Sequence, residues 1–344
     1  MIWVDLSTAP DPLFFRPLVR RFRERGHDVW ITARDYGQTA AVAEGSGLEF
    51  ELVGRHGGAS LTGKAGAIVA RATALARAAA GRTLDLAVSF NSYAQALTAR
   101  RVGVPFVTLT DYEYQPANHL AFRLARRIIV PEAFDRSMLR RYGARQRRVV
   151  FFHGLKEDVT LADFEPDPQF PNQLVRLGVD PSRVVVTMRP PATSSTYHRF
   201  ANEFFYDAVR AFAVRPGVDV LVFPRYPDQA ARLEALALDR VVVARQAVDG
   251  LNLAYWSDAV VSAGGSMCRE GAALGTPAYS VFAGRMAGVD RQLIDEARLV
   301  HLQSTDDLAA VVLRKRQTRT TRIDSRVIDE VLAAILTTID PGAS

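Results

Sequence analysis

The sequence contains little cysteine, little lysine and no long apolar run. Its one cysteine, Cys268, cannot form an internal disulfide and excludes a multi-cysteine zinc site. No apolar stretch reaches the roughly 20 residues that span a bilayer, and the longest, 67–80, is interrupted by Arg71 and Arg77. Residues 1–5 are typical of a strand and carry no charged segment of the kind that opens a signal peptide. We therefore expect a cytoplasmic protein.

Several catalytic motifs are absent as well. The six histidines show neither H-x-H nor H-x-x-x-H spacing, and no D-x-D sequence occurs, so we expect no bound metal. The G-x-S-x-G elbow of serine hydrolases is missing. The loop after the first predicted strand has no G-x-G-x-x-G sequence, which argues against a nicotinamide cofactor. We expect no cofactor of any kind.

Composition and length indicate a folded protein of two domains, and the charge indicates which partners suit it. Hydrophobic residues make up 48% of the 344-residue chain, enough to exclude dominant disorder, and the length favours two domains. The net charge is +6, and only three of the 43 basic residues are lysines. Guanidinium groups suit phosphate, although a GC-rich genome that encodes arginine in preference to lysine accounts for the same bias.

Arginine is concentrated in one segment. Nine arginines interleaved with aliphatic residues fall within 123–148. We expect segment 120–148 to contact an anionic membrane surface, at the inner membrane face, with its aliphatic side chains entering the interface. An amphipathic helix with a solvated basic face is the alternative. Aromatic residues are sparse there, so no nucleic-acid partner is expected.

Two series of alternating strands and helices predict two parallel sheets. The first series has strands at 2–6, 27–32, 84–90 and 105–110, and the second has strands at 183–188, 218–223, 241–244, 259–262 and 278–282. The proline-rich, acidic run 163–171 lies between them and indicates a linker. We predict an N-terminal Rossmann-like domain over 1–162, a linker over 163–175, a C-terminal Rossmann-like domain over 176–322, and a helix and tail over 323–344 that pack on either domain.

The most informative stretch follows the strand at 259–262. Two glycines permit a tight turn, and Ser266 is a good helix N-cap. The exposed amides of 265–267 would favour an anion such as a diphosphate, and Glu270, one turn later, could accept the hydroxyls of a ribose. The alternative is a capping box, in which Ser266 and Glu270 only close the helix. That box places the acid three residues after the cap, whereas here the spacing is four.

This stretch resembles the donor-site motif of GT-B glycosyltransferases and of non-hydrolysing UDP-N-acetylglucosamine 2-epimerases. Gly264, Gly265, Ser266 and Glu270 match it, as does the small-residue run that ends at 275–277. The resemblance implies an α/β, GT-B-like fold, with two Rossmann-like parallel-sheet domains that face an interdomain cleft. It implies that the C-terminal domain holds a nucleotide sugar and that the N-terminal domain holds the acceptor, without a metal.

The whole chain, from about residue 1 to about residue 305, also resembles an uncharacterised family of GT-B-like bacterial and archaeal proteins. The matching features are Asp5-Leu6-Ser7, Pro10, Phe14-Phe15, Arg25-Gly26-His27-Asp28-Val29, Thr32-Ala33-Arg34-Asp35-Tyr36, Asp111-Tyr112-Glu113, Asn118, Gly154, Lys156-Glu157, the glycine–glutamate motif and Val289-Asp290. This resemblance supports the fold and leaves the reaction open.

Basic residues follow two strands of the C-terminal series. Arg189 comes after the first strand, where an arginine of the epimerases binds the donor phosphate, and Arg225 comes after the second. An ordinary surface arginine is the alternative for each. His198 lies beside a polar loop at 193–196 that could close over the phosphates.

Acidic residues follow strands of the N-terminal series. Asp111 and Glu113 come after the strand at 105–110, and Asp11 lies in the first strand–helix loop. Each is a candidate general base toward an acceptor hydroxyl, with an Asx turn or a helix cap as the alternative. Asn118 could orient the acceptor.

These features together predict a metal-independent glycosyltransferase. It would transfer a sugar from a nucleotide-diphosphate donor to the hydroxyl of a sugar or lipid-linked acceptor, as in the synthesis of a surface polysaccharide or glycolipid. A nucleotide-sugar 2-epimerase and a non-catalytic nucleotide-sugar-binding protein are the alternatives.

Overall fold

The computed structural model describes residues 1–35, 38–55, 61–192, 203–246 and 248–339, without the side chains of 55 and 61–65. The chain divides into two compact units. Unit 1 comprises 1–163, the short segment 287–289 and the chain from 324 onward, and unit 2 comprises 164–286 and 290–323.

Unit 1 is built on a seven-stranded parallel sheet with the order β3-β2-β1-β4-β5-β6-β7. Its strands are β1 Ile2–Leu6, β2 Val29–Asp35, β3 Glu51–Arg55, β4 Leu86–Phe90, β5 Phe106–Leu109, β6 Arg127–Pro131 and β7 Val149–Phe152. Its helices are α1 Asp11–Glu24, α2 Thr39–Gly45, α3 Leu61–Ala78, α4 Tyr93–Val102, α5 Asn118–Leu124, α6 Arg136–Arg141 and α7 Lys156–Thr160, with a 3-10 turn at Gln146–Arg148. The strand order reverses between β1 and β4, which is where ligands bind in open α/β sheets.

Unit 2 contains a six-stranded parallel sheet with the order β10-β9-β8-β11-β12-β13. Its strands are β8 Val184–Arg189, β9 Val218–Val222, β10 Val241–Val243, β11 Ala259–Ser262, β12 Ala278–Ser280 and β13 Val300–His301. The helices are α8 Phe170–Arg176, α9 Glu203–Ala213, α10 Pro227–Glu234, α11 Gly250–Trp256, α12 Gly265–Ala273, α13 Gly288–Asp295, whose first two residues belong to unit 1, and α14 Thr305–Ala310. The order reverses between β8 and β11, so the turn after β11 lies at a second ligand-binding position.

Apolar periodicity explains how the helices pack. In α1, the side chains of Phe14, Phe15, Leu18 and Phe22 recur at helical spacing and are all buried against the sheet of unit 1. A final helix, α15 Val327–Leu336, presents its own buried face to the same core. The C-terminal helix, which the sequence could assign to neither domain, therefore packs in unit 1.

The structure differs from the sequence prediction in two segments. Part of the predicted linker 163–175 forms α8, because Phe170 and Leu174 are buried in unit 2. The arginine-rich segment 120–148 is not one amphipathic surface. It contains the buried strand β6 between two short helices, and its aliphatic side chains lie in the core of unit 1. They are therefore not available to enter a lipid interface, as the prediction required.

Among the described helices, none combines the length and apolar content that crossing a bilayer requires.

Candidate functional site

The glycine-rich turn of unit 2 begins helix α12 at the end of strand β11. Gly264 is the N-cap, in an extended conformation with φ −146° and ψ 159°, and its N–H donates to Ser262 Oγ at 3.1 Å. Ser266 is the second residue of the helix, so the prediction that it is the N-cap is wrong. Because a glycine cap has no side chain, the capping box between Ser266 and Glu270 is excluded too. The first amides of α12 have no acceptor within the helix, and they lie at the position where the strand order reverses.

A buried ion pair supports the start of this helix. Arg269 donates from Nε to Asp290 Oδ1 at 2.6 Å and from Nη2 to Asp290 Oδ2 at 3.0 Å. Both side chains are about 95% buried, with 5% of each residue exposed. A Cβ on Gly265 would stand 2.8 Å from Arg269 Nη2, which explains the glycine there. Asp290, part of the family pattern in the sequence, thus has a structural role.

Two more arginines stand beside this turn. Arg189 ends β8 and is partly buried, and its Nε atom has no hydrogen-bond partner among the described residues. Burial lowers the pKa of Arg189, and the nearby charge of Glu270 opposes that shift. Arg225 donates from Nε to the carbonyl of Pro190 at 3.1 Å. A Cβ on Gly264 would lie 3.6 Å from Arg225 Nη2, so this guanidinium adjoins the turn.

Gln229, which the sequence did not suggest as a site residue, forms hydrogen bonds to both loops that follow strands β8 and β9. Its Oε1 accepts the N–H of Arg225 at 2.9 Å, and its Nε2 donates to the carbonyl of Pro191 at 2.8 Å. The side chain is buried. The loops after β8 and β9 are therefore joined by one amide, a long-range contact with no local signal in the sequence.

The groups at this turn are of the kind that bind anions. A helix N-terminus, its free amides and two guanidinium groups all favour a phosphate or diphosphate. Cys268, in the same helix, is not a nucleophile in this setting, since burial raises the pKa of its thiol to about 12. Its Sγ lies 3.2 Å from the carbonyl of Tyr279.

In unit 1, Asp11 follows β1 at the first residue of α1. One carboxylate oxygen, Oδ2, accepts the N–H groups of Ser7 and Thr8, each at 2.8 Å, and Oδ1 accepts the hydroxyl of Thr8 at 2.7 Å. Burial raises the pKa of Asp11 to about 6, despite these hydrogen bonds and the charge of Lys156, which lower it. A carboxyl group with a pKa near 6 can gain and lose a proton close to neutral pH.

Lys156, whose charge acts on Asp11, lies close to two other carboxylates. Its Nζ lies 3.5 Å from Asp111 Oδ2 and 3.7 Å from Glu157 Oε1, and 5.1 Å from the centre of the Phe90 ring. All three charged residues are at least 90% buried, with exposures of 8%, 7% and 1%. The sequence showed Lys156-Glu157 as part of the family pattern without a role.

Glu113 and Asn118 have other surroundings. Glu113 is fully buried, and its Oε1 accepts the N–H of Gly288 at 2.8 Å and that of Asp135 at 3.2 Å. These contacts favour an anchoring role for Glu113 over that of a base. Asn118 is also fully buried, and its Nδ2 donates to the carbonyl of Tyr112 at 3.3 Å, which holds the loop after β5 rather than an acceptor.

Asn91 is a residue that the sequence missed. It follows β4 at the reversal of strand order and has a φ of 60°, a left-handed conformation that is uncommon outside glycine. Its Nδ2 donates to Thr110 Oγ1 at 2.8 Å. Such backbone strain concentrates at functional sites. His198, the remaining predicted site residue, lies outside the described residues.

One family model matches nearly the whole chain. The model of the family described as "Protein of unknown function (DUF354)" matches residues 1–339. The chain belongs to this DUF354 family. An uncharacterised protein of Methanocaldococcus jannaschii is 28% identical over 315 residues, which cover 90% of this chain and 89% of the relative. The family membership that the sequence motifs predicted is confirmed.

Solved structures resemble this DUF354 protein over nearly its full length. The UDP-GlcNAc 2-epimerase of Methanocaldococcus jannaschii in complex with UDP-GlcNAc and UDP is 13% identical with a TM-score of 0.72, and the match covers 98% of this chain and 99% of that one. The UDP-N-acetylglucosamine 2-epimerase of Rickettsia bellii is 13% identical with a TM-score of 0.69, covering 99% and 97%. The HepE protein of Anabaena in complex with UDP-glucose is 15% identical with a TM-score of 0.63, covering 99% and 97%. The predicted GT-B-like fold class, with two Rossmann-like parallel-sheet units, is confirmed.

Proposed function

We propose that this DUF354 protein is an enzyme that acts on a nucleotide-diphosphate sugar, with the diphosphate held by unit 2. The observation that carries the proposal is the glycine-capped start of α12 with the guanidinium groups of Arg189 and Arg225 beside it. Free amides and two cations would neutralise the charge that grows on the diphosphate as it leaves the sugar. The nucleotide sugars in the solved relatives, UDP-GlcNAc and UDP-glucose, support a ligand of this class.

Glu270 is the residue that we propose for the ribose. It lies one turn along α12 from Ser266, is partly exposed, and is close enough to Arg189 to affect the pKa of that guanidinium group. A carboxylate at that position can accept both ribose hydroxyls while the amides hold the phosphates. Ser266, the second residue of α12, adds a hydroxyl to the same end of the helix.

For the reaction, we propose transfer of the sugar to a hydroxyl acceptor, with Asp11 as the base and Asp111 as the second candidate. The base removes the hydroxyl proton, the oxygen bonds to the anomeric carbon, and the bond to the diphosphate breaks with its electron pair. Asp11 suits this step because its pKa of about 6 leaves it largely ionised near pH 7 and still basic enough to take a proton.

A second reaction, epimerisation at C2 of the sugar, is favoured by the likeness to solved UDP-GlcNAc 2-epimerases. It requires removal of the C2 proton with loss of the diphosphate from C1, followed by return of both, the proton to the other face. The cleaved bond is the same as in transfer, so the anion site of unit 2 serves either reaction.

Two experiments test these proposals. A thermal-shift screen against UDP-, GDP-, dTDP- and CDP-sugars should show stabilisation, about 2.7 kcal/mol when the ligand is at 100 times its Kd. No shift with any of the four classes contradicts the proposed function. Incubation of a bound sugar without acceptor in deuterated water, followed by proton NMR, distinguishes the reactions, since an epimerase exchanges the C2 proton. Affinity without turnover over a panel of donors and acceptors indicates a non-catalytic binding protein.

A further inference from the structure

The arginines of the second half of unit 1 are separated in space from its acids. Between residues 97 and 156 the sequence has eleven arginines and four acids. The acids follow the carboxyl ends of strands: Asp111 and Glu113 come after β5, and Glu132 and Asp135 come after β6. The arginines fall mostly in other places.

Topology gathers seven of these arginines along one edge. In a parallel sheet the helices run back against the strands, so helix C-termini and strand N-termini lie at the same edge. We use the name basic edge for seven residues at such positions, namely the ends of α4 and α6 and the segments before β6 and β7. They are Arg100, Arg101, Arg126, Arg140, Arg141, Arg145 and Arg147.

Backbone contacts place Arg126 beside Arg145 and Arg147 at the centre of the basic edge. The N–H of Arg126 donates to the carbonyl of Phe106 at the start of β5, at 2.7 Å. Strands β6 and β7 pair from Ile128 opposite Val149, which sets the residues before them side by side. The pKa of Arg148 is lowered by its burial and by the charges of Arg145, Arg147 and Arg126. These cations from two loops therefore lie within electrostatic range of each other.

The charges of the basic edge are not neutralised by other described residues of the protein. All seven side chains are exposed, and none makes a hydrogen bond or ion pair with another described residue. Some exposed arginines elsewhere pair with carboxylates, as Arg210 does with Asp207 and Arg326 with Asp324. Codon bias explains arginine in place of lysine, but it does not explain why seven arginines and none of the four acids of 97–156 collect at this edge. Clustered cations without counter-charges repel one another and so mark a surface for an anionic partner.

We propose that the basic edge binds the surface of a membrane that carries anionic phospholipids. The contact is electrostatic, since the aliphatic residues between these arginines are in the core, and cations near such a surface bind without insertion. Tyr142, an aromatic residue next to Arg141, is buried, so this edge has no stacking platform of the kind that single-stranded nucleic acid uses. The basic edge is opposite the carboxyl edge that carries Asp11, which leaves that edge open to solutes.

This inference does not depend on the proposed function, and its test uses the full chain without a nucleotide. The protein is sedimented with vesicles of 30% phosphatidylglycerol in phosphatidylcholine and with vesicles of phosphatidylcholine alone. We expect binding to the first only, and loss of that binding as salt rises from low to about 0.5 M, because the Debye length shrinks.

A triple variant locates the contact. Each cation near an anionic surface strengthens binding by a factor of about five, so Arg126→Gln/Arg145→Gln/Arg147→Gln should weaken partitioning about 100-fold. The matched control removes the same charge from exposed arginines elsewhere, Arg210→Gln/Arg245→Gln/Arg326→Gln, and should change it little. Equal thermal melting of both variants and the wild type excludes misfolding as the cause.

Other outcomes overturn the proposal. Absence of sedimentation with the anionic vesicles at low salt does so directly, as does equal loss in both triple variants. Tight binding to a 30-base RNA without binding to the vesicles assigns the basic edge to nucleic acid instead. Because nucleotide-sugar affinity is measured separately in the thermal-shift screen, failure here leaves the proposed function standing, and the reverse is also true.

Discussion

The carboxyl edges of the two sheets carry opposite chemistry. In unit 1 the buried groups are mainly carboxylates, with Asp11, Asp111 and Glu157 arranged around Lys156. In unit 2 the corresponding groups are glycine amides, the partly buried guanidinium group of Arg189 and the exposed one of Arg225. Both edges occupy the same position in the same kind of sheet, so the difference between them comes from the side chains. The acidic edge suits proton transfer, and the amide–arginine edge suits phosphate.

The comparison of the two edges predicts its largest effect on turnover. Asp11→Asn should lower the rate with a nucleotide sugar by about 10²–10⁴-fold, the usual contribution of a general base, while UDP affinity stays within twofold. Steady-state kinetics and calorimetry measure the two. Glu24→Gln, which changes an exposed acid at the other end of α1, is the control. Normal turnover in Asp11→Asn, or a loss of UDP affinity in place of turnover, would contradict the assignment of proton transfer to unit 1 and of phosphate binding to unit 2.

The stability of unit 2 should depend on the buried ion pair between Arg269 and Asp290. Asp290→Ala leaves the Arg269 guanidinium buried without its counter-charge, a change that typically costs about 3–5 kcal/mol. Urea unfolding measures it. Replacing both partners with apolar residues, Arg269→Met/Asp290→Leu, should restore much of the stability, because desolvation of the pair is then no longer required. If the single variant unfolds like the wild type, the pair does not support the start of α12.

Much of the fold could be predicted from local patterns. The apolar run at 259–262 and the glycines after it located β11 and the turn, and the spacing of Phe14, Leu18 and Phe22 located α1. Strand β6 could not be predicted in the same way. Its residues are buried on both faces and so do not alternate, and arginines flank them, which favours an amphipathic surface over a strand.

The candidate site was predictable only in part. The glycines, Glu270 and the arginines after β8 and β9 followed from local sequence, whereas the choice of Gly264 over Ser266 as N-cap depends on backbone angles that tertiary packing sets. Long-range contacts gave no signal at all. Lys156 meets Asp111 across 45 positions of the chain, and Glu113 meets Gly288 across 175.

The buried carboxyl group of Asp11 should make the stability of the protein depend on pH. The folded-state pKa of Asp11 is about 6, above its ordinary value of 3.8, so between these pH values the folded protein binds a proton more tightly than the unfolded chain does. Stability therefore falls as pH rises from about 4 to about 6. The expected loss is roughly 3 kcal/mol, because a pKa difference of one between the folded and unfolded states corresponds to about 1.36 kcal/mol. Urea unfolding at several pH values should show this loss in the wild type and not in Asp11→Asn. A loss of equal size in both would assign it to other groups.

The smallest expected effect is on phosphate binding at the proposed anion site of unit 2. Arg189→Ala removes a charged donor, so UDP should bind about 10–150-fold more weakly, in line with the 1.5–3 kcal/mol of a hydrogen bond to a charged group. Uridine, which lacks the phosphates, should bind both proteins equally, and this contrast separates loss of a phosphate contact from a general disturbance of unit 2. Arg210→Ala, an exposed arginine on α9, is the matched control. A parallel loss of uridine affinity would mean that Arg189 shapes the fold and not the phosphate site. Phosphate binding in unit 2 would then depend on Arg225 and the first amides of α12.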